Sequence, residues 1–311
     1  MEFDLFSFLA SAGGGAFGAA IGGLQAFIFT GFLVLAGVLG LIGGNDTVLN
    51  FGAFGPIFGP HISFAGGVAA AVYAARRGYG GIEGKDIVTP LISLGRPDVL
   101  LVGGIFGMLG YVLNNIVAMI PWFGSNTDTI AFTVLISGII ARLVFGRTGL
   151  VGRVPEGNGW GRFAPTDTAN WIRYHEKPGQ AITIGLFAGL AGAAIALVFT
   201  QSYGDAPGGG HTIMFGVSAM TLLFLSLGMS VPVTHHMTLP AAVAAVNFLP
   251  IFDGSFVAAL LVGMVWGVLG ALIGEFFSRL FHIHGDSHID PPAAAIWPTT
   301  TLALVAAAAF A

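Results

Sequence analysis

Histidine and hydroxyl side chains follow two breaks in otherwise apolar sequence, one in each half of the chain. The first break reads FGAFGPIFGPHISFAGG and the second reads LGMSVPVTHHMTLPAA. Proline removes a backbone N–H donor and clashes with the preceding helical turn, so both stretches predict interrupted helices. The candidate side chains at these breaks are His61, Ser63, His235, His236 and Thr238.

The chain around these breaks is apolar enough to lie within a membrane. Hydrophobic residues make up 55% of it and charged residues only 8%, whereas soluble domains carry about 25% charged residues. Its 49 glycines allow membrane helices to approach closely. We therefore expect an all-α integral membrane protein, with about ten transmembrane or half-spanning helices and a lipid bilayer as its surroundings.

At membrane depth, these histidines and hydroxyls predict a pathway or a substrate-binding site. Ionisable groups there are costly and usually functional, and irregular backbone is tolerated only beside protein or a water-filled cavity. Paired short segments interrupted by glycine and proline are typical of transport sites. The alternative is a pair of tight re-entrant turns whose histidines only hydrogen-bond neighbouring carbonyls.

Two asparagines in a later apolar segment, Asn114 and Asn115, are further pathway candidates. They can line the path or hydrogen-bond across helices. At the matching place in the second half stands Glu275, with Arg279 one helical turn later. A local ion pair between these two residues explains Glu275 without any function.

A second group of candidate ligands lies in HIHGDSHID, residues 282–290. Its histidines His282, His284 and His288 are interspersed with aspartates, and such side chains can bind zinc or another divalent metal. Asp290 before Pro291 also predicts an ordinary helix N-cap followed by proline. No further ligand follows at a fixed spacing, so a polar cytoplasmic loop is the competing interpretation.

No catalytic signature stands out, so we expect no enzyme and, apart from that possible metal, no cofactor. The patterns GxxxxGK[ST], HExxH and GxSxG are all missing. The chain has no cysteine, which excludes disulfides and thiolate chemistry. It also has no polybasic patch that would bind nucleic acid.

Three blocks of sequence recur in the same order in the two halves. An internal repeat of this size in a membrane protein is typical of transporters and channels. The matched pairs are 101–110 with 261–270, 15–30 with 185–200, Gly15 with Gly185, and His61 with His235.

Five candidate segments in each half make the two halves point in opposite directions. The Lys and Arg residues then fall on one side, which is cytoplasmic by the positive-inside rule, and both termini lie outside. We predict an inverted 5+5 repeat, with halves 1–146 and 181–311 joined by a cytoplasmic linker, 147–180. The expected segments are 9–43, 47–59, 62–77, 98–121, 128–146, 181–201, 212–231, 235–249, 257–281 and 291–310.

The linker contains the stretch TDTANWIRYHE, which predicts a short surface helix. Thr166 or Asp167 would cap this helix. Trp171, Ile172 and Tyr174 would place it in the lipid interface.

The segments GAFGAAIG…AFIFTGF, FGPIFGPHISFAGGVAAAVYAA and PDVLLVGGIFGMLGY resemble an uncharacterised group of prokaryotic, glycine-rich polytopic membrane proteins. The resemblance implies a prokaryotic inner or plasma membrane but no activity. In architecture alone, an inverted 5+5 repeat is similar to urea channels, and paired pathway histidines are similar to those of ammonia channels. Neither family's motif is present, and a likeness of fold does not establish function.

These features predict a channel or transporter for a small solute, with the path between the two repeats. The solute would be a neutral molecule, a weak acid or base, or a small anion, and a homo-oligomer is expected. One alternative is a divalent-metal transporter that uses the histidine clusters. Another is a structural or enzymatic subunit of a membrane complex.

Overall fold

The computed structural model describes residues 4–154, 160–166, 169–204 and 209–311, and it is all-helical within these ranges. Five α-helices lie in each half of the described chain. They are α1 (Leu5–Ile21), α2 (Gly23–Ile42), α3 (Ala65–Arg77), α4 (Pro97–Met119), α5 (Thr129–Phe145), α6 (Pro178–Tyr203), α7 (Gly209–Ser226), α8 (His235–Phe248), α9 (Phe256–Phe277) and α10 (Pro291–Phe310).

Six of the described helices are long and apolar enough to cross a membrane. They are α2, α4, α6, α7, α10, and α9 together with its continuation to His282. Helices α1 and α5 are apolar but have only 17 residues each, whereas a spanning helix needs about 20. The expected all-α membrane class is confirmed at this level.

Aspartate caps determine where two equivalent helices begin. The Asp128 carboxylate accepts the Ala131 N–H at 2.8 Å at the start of α5, and the Asp290 carboxylate accepts the Ala293 N–H at 2.8 Å at the start of α10. Pro291 follows Asp290 in the first turn, where its missing N–H would have no helical partner anyway. The predicted cap at Asp290 is confirmed.

The first apolar run, predicted as one segment over 9–43, is two helices. Gly22 interrupts it with a φ of +95°, a conformation that glycine adopts without steric cost. A Cβ at Gly22 would also lie 2.8 Å from the Val88 carbonyl oxygen. The short segment predicted over 47–59 contains only a π-helical turn, Val48–Ala53. The first half is therefore divided into helices differently from the prediction.

Both predicted breaks are irregular segments that lead into short helices. Pro60–Phe64 forms a π-helical turn that continues into α3. In the second half, residues 229–234 have no regular structure and lead into α8, which begins at His235 and contains Pro240. Helices α3 and α8 have 13 and 14 residues, too few to span a bilayer, and most of their residues are buried.

Similar glycine contacts hold α1 on α4 and α6 on α9. A Cβ at Gly15 would lie 2.8 Å from the Gly107 Cα, and a Cβ at Gly189 would lie 2.9 Å from the Gly267 Cα. Only glycine allows helices to pack this closely. Gly107 and Gly267 stand at the same place in the matched sequence blocks, so Gly189 is the structural counterpart of Gly15. The sequence match to Gly185 is displaced by one helical turn.

Equivalent helix contacts also change which histidine of the second half matches His61. The match in the structure lies one residue later than the match from the sequence. A Cβ at Gly110 would overlap the His61 carbonyl, and a Cβ at Gly270 would overlap the His236 carbonyl. Gly110 and Gly270 also occupy the same place in the matched blocks. His61 therefore corresponds to His236 in the structure, whereas the sequence comparison of the halves pairs it with His235.

Helices α2 and α7 join the two halves as an antiparallel pair. A Cβ at Gly31, near the middle of α2, would lie 2.7 Å from the Gly216 carbonyl oxygen near the middle of α7. A Cβ at Gly209, the first residue of α7, would lie 3.1 Å from the side chain of Leu41, near the end of α2. The start of one helix therefore lies beside the end of the other.

Helices α5 and α10 form a second antiparallel pair between the halves. Just before α5, the Thr127 hydroxyl accepts a hydrogen bond of 2.8 Å from Thr301, in the middle of α10. A Cβ at Gly138, near the middle of α5, would lie 3.5 Å from the Cα of Ile289, just before α10. Chain direction therefore reverses within this pair as well.

Before α6 begins at Pro178, the linker contains no α-helix among its described residues. A 3-10 turn covers Trp160–Phe163. Thr166 accepts the Ala169 N–H at 3.0 Å, but only bends and turns follow it before α6. Asp167, the other expected cap, lies outside the described residues. Trp171 turns inward and packs on the core instead of facing lipid from a surface helix.

Candidate functional site

A cavity of about 460 Å³ lies between the two halves. Helices α2 and α5 of the first half line it, together with α7, α8 and α10 of the second half, the loop 85–88 and the linker. Most of the lining is apolar or aromatic, including Phe27, Phe215, Leu239 and Ile296. Ligand pockets commonly have volumes of about 300–1,000 Å³ and mainly apolar walls. This cavity is therefore the candidate site.

His235 is the one predicted pathway residue that lines the cavity. Its imidazole lies between aromatic rings, with centroid separations of 4.8 Å to Phe27 and 5.9 Å to Phe215. The side chain is buried, and its Nδ1 has no hydrogen-bond partner among the described residues. Leaving a buried polar atom unpaired costs free energy, so a ligand that bonds to this nitrogen would be stabilised.

The loop before α10 brings two of the three predicted metal ligands to the cavity. Nε2 of His288 lies 3.1 Å from Oδ1 of Asp290, and the His288 ring lies 4.8 Å from the His282 ring. His284 is outside the lining, beside the linker, where its carbonyl accepts the Arg153 N–H at 3.0 Å. Within the described ranges, no group of three histidine or acidic side chains could hold a metal ion.

The loop 283–290 is organised around Arg142, which is fully buried near the end of α5. Its Nε donates to the Ser287 hydroxyl at 2.7 Å, and its Nη2 donates to the Ser287 carbonyl at 2.5 Å. Its Nη1 donates to the carbonyls of Leu150, at 3.0 Å, and Phe281. These acceptors compensate the burial of the cation. The signal in the sequence that points to this residue is an arginine within an apolar helix.

The candidates of the first break pack inside the first half, outside the cavity lining. The His61 carbonyl contacts Gly110 of α4, and Nδ1 of this buried histidine has no partner among the described residues. The Ser63 hydroxyl donates to the Gly59 carbonyl at 3.5 Å, and the Ser63 carbonyl packs on Gly18 of α1. Both residues therefore contribute to helix packing in this structure.

His236 and Thr238 likewise pack within the second half. A Cβ at Gly274 of α9 would lie 2.6 Å from the His236 ring, whose two nitrogens have no partner in the described chain. The Thr238 hydroxyl lies 3.2 Å from that of Ser218, to which Thr234 donates at 2.9 Å. This cluster of hydroxyls joins α8 and the segment before it to α7.

Asn114 and Asn115 are also absent from the cavity lining. Asn115 donates to the Tyr111 carbonyl at 2.8 Å, one turn earlier in α4. The expected pair of Glu275 and Arg279 is present, with Nε and Oε1 2.8 Å apart. Arg279 also donates to two linker carbonyls, so it ties the linker to the end of α9.

The linker covers part of the cavity. Trp171 and Ile172 line it, and the Trp171 ring lies 5.8 Å from that of His236 and 6.2 Å from that of His175. Burial lowers the pKa of His175, against the opposing influence of the Glu176 charge. The docked linker therefore favours a neutral imidazole.

Lys85 lies between the main cavity and a second cavity of about 440 Å³. Charged residues line this second cavity, among them Arg76, Arg147 and Asp286. The Lys85 ammonium donates to the Ile283 carbonyl at 3.2 Å. No carboxylate lies within 4 Å of it in the described part of the chain. Burial is the main cause that lowers the Lys85 pKa.

Comparison with known proteins gives one family, matched twice. The model described as "Family of unknown function (DUF7973)" covers residues 1–165 and again residues 161–310. No curated protein and no solved structure matches the chain. The two matches together extend over nearly the whole sequence.

Proposed function

The chain belongs to the DUF7973 family of unknown function, and we propose that it is a membrane channel or transporter for a small solute. The observation that carries this proposal is the cavity lined by helices of both halves, in a chain with six helices able to cross a bilayer. Transport sites commonly lie where two repeats meet. The path would pass through this cavity, beside His235.

We further propose that the two halves form an inverted repeat. Support comes from the match of one family model to each half, from the recurring glycine contacts, and from the antiparallel pairs α2–α7 and α5–α10. A two-fold axis in the membrane plane relates equivalent helices that run in opposite directions. All four of these helices line the cavity, as expected for a site on that axis.

The positive-inside rule orients the proposed transporter. Basic residues concentrate in the stretch 76–96 and the linker 147–177, and Arg279 bonds to that linker. These regions would be cytoplasmic, with both termini on the other side of a prokaryotic plasma membrane. We also propose that the protein forms a homo-oligomer in the bilayer.

The lining favours a solute that is neutral, a weak acid or base, or a small anion. Apolar walls do not compensate a strongly hydrated ion. The lining carboxylates of Asp128 and Asp290 already accept N–H groups at the starts of α5 and α10. The divalent-metal transporter and the non-transport subunit of a membrane complex stay predictions from the sequence.

Solute flux in liposomes tests the proposed path. Stopped-flow light scattering would follow the entry of urea, acetate and methylammonium into liposomes with and without the purified protein. We expect the protein to speed the entry of at least one solute. Ala293→Trp, which fills the cavity wall, should abolish this gain, whereas Leu101→Trp on the exposed face of α4 should preserve it. No gain for any solute, or equal flux through the Ala293→Trp variant, would contradict the proposal.

A further inference from the structure

The wall between the two cavities carries a cation that no described carboxylate contacts. Lys85 lines both cavities, and its ammonium group bonds to one carbonyl, that of Ile283. No described carboxylate lies within 4 Å of this ammonium. A partly buried charge is costly unless an opposite charge pairs with it. An anionic group beside Lys85 would supply the missing partner.

His282 offers a second hydrogen-bonding group in the lining of the same cavity. It is 7% exposed, and its Nδ1 is buried without a hydrogen-bond partner among the described residues. The Lys85 charge lies near enough to act on this imidazole. A carboxylate has two oxygens, each able to accept a hydrogen bond. A neutral imidazole has one N–H, and the His282 tautomer with this N–H on Nδ1 can donate to a carboxylate that also binds the Lys85 ammonium.

No acidic side chain of the two cavities contacts Lys85, although the charges of Glu83 and Asp286 act on it from beyond 4 Å. Asp128 and Asp290 cap helices and accept backbone N–H groups. Asp286 accepts a threonine hydroxyl at 2.7 Å and a backbone N–H at 2.6 Å. Burial raises the pKa of Asp286, but these hydrogen bonds outweigh it and keep the pKa below its ordinary value. The remaining acid of the second cavity, Glu83, is exposed to solvent.

The two cavities differ in a way that suits an amphipathic molecule. Arg76 and Arg147 line the second cavity together with Lys85, and a cleft with an excess of basic groups concentrates anions. On the other side of Lys85, the main cavity is walled by rings such as those of Phe27 and Phe64. The charge lies at the boundary, and the apolar volume lies beyond it.

We propose that the main cavity binds amphipathic monoanions, that is, aryl or alkyl carboxylates. The carboxylate would bind Lys85 and His282, and the apolar body would pack against the aromatic wall. This inference rests on the proposed function, because it assigns a solute class to the same cavity. A metal, a nucleotide or a strongly hydrated inorganic ion would not match the apolar volume.

Binding of 2-naphthoate and 2-naphthamide tests the inference. The two molecules share one apolar body and differ in charge, and equilibrium dialysis against the protein in nanodiscs at pH 7.5 measures both affinities. We expect naphthoate to bind about tenfold tighter or more, since hydrogen bonds to charged groups are the stronger ones. Lys85→Met should remove this preference while naphthamide binding persists, and Lys85→Arg should retain it.

Lys177→Met is the matched control, because it makes the same change at an exposed linker lysine. It should leave both affinities unchanged. Equal affinity of the native protein for the two probes, no binding of either, or a preference that survives Lys85→Met would overturn the inference. Should Lys85→Met fail to fold, the affinities of the native protein and of Lys85→Arg for the two probes still test the inference. Binding of naphthoate without any solute flux would instead contradict the transport function alone.

Discussion

The guanidinium of Arg142 donates two hydrogen bonds to Ser287, one to its hydroxyl at 2.7 Å and one to its carbonyl at 2.5 Å. Arg142 belongs to α5 and Ser287 to the loop before α10, so a buried cation of the first half fixes backbone of the second. The same loop places His288 and Asp290 in the cavity wall. The geometry of the candidate site therefore depends on a residue that does not line it.

Replacing this arginine should destabilise the protein strongly. Arg142→Met removes the guanidinium that donates hydrogen bonds to the carbonyls of Leu150, Phe281 and Ser287. Each buried group left unpaired costs about 1–3 kcal/mol. We expect a loss of about 3 kcal/mol or more, measured as a lower melting temperature in detergent. Arg147→Met, at an exposed arginine, should change stability by less than about 0.5 kcal/mol. Similar melting temperatures for the two variants would contradict this role.

A methyl group should not fit where the histidine carbonyls meet the helices. Gly110→Ala would overlap the His61 carbonyl, and Gly270→Ala would overlap the His236 carbonyl. Overpacking of this kind costs about 1–3 kcal/mol, so both variants should melt earlier. Gly13→Ala is the control, since its Cβ would meet no atom within 4 Å and alanine favours the helix. A clear loss of stability in only one of these two variants would count against the match of Gly110 with Gly270.

The linker should loosen in acid. Burial lowers the folded-state pKa of His175 below its ordinary value of 6.5. Docking of the linker is therefore fully stabilised above pH 6.5 and loses stability as the pH falls toward the folded-state pKa, because the unfolded chain binds the proton more tightly. Hydrogen exchange of residues 169–177, corrected for its intrinsic rate, should speed up between pH 7.5 and pH 5. The His175→Gln variant should show no such acceleration. Equal acceleration in the native protein and in the variant would show that protonation of His175 does not loosen the linker.

Trp171 should restrict entry to the cavity. It reaches the lining from the linker and packs against His236 and His175. Trp171→Ala should widen the opening and raise solute flux in liposomes. Tyr174→Ala removes an exposed linker ring that faces Lys177, and it should leave flux unchanged. Lower or equal flux after Trp171→Ala would show that the tryptophan does not obstruct the path.

The helical class and several helix starts could be predicted from the sequence because they depend on local signals. Continuous apolar runs and the Asp290–Pro291 pair are such signals. The division at Gly22 depends on a distant contact with Val88, which leaves no trace in the run GAAIGGLQ. The sequence alignment of the two halves also differs from the structural match around Gly15, for a related reason. Glycines spaced by four residues look alike after a shift of one helical turn, and contacts with α9 were needed to match Gly189 to Gly15.

The candidate site was predicted only in part. His235 lies in the cavity wall, whereas the other candidate side chains of the two breaks lie outside the lining. These are His61, Ser63, His236 and Thr238. Sequence periodicity reports which residues share a helix face, and not which neighbouring element that face meets. Lys85 and Trp171 come from connecting segments that fold back onto the cavity, and such segments have no periodic pattern that would reveal it.

The most direct test of a path between the halves uses the absence of cysteine from the native chain. Ala293→Cys places a single thiol in the cavity wall, and Leu101→Cys places one on the exposed face of α4. Solute flux in liposomes is measured before labelling with a charged methanethiosulfonate, after labelling, and after reduction. We predict that labelling blocks flux through Ala293→Cys, that reduction restores it, and that Leu101→Cys is unaffected. Unchanged flux through fully labelled Ala293→Cys would contradict passage of solute through this cavity.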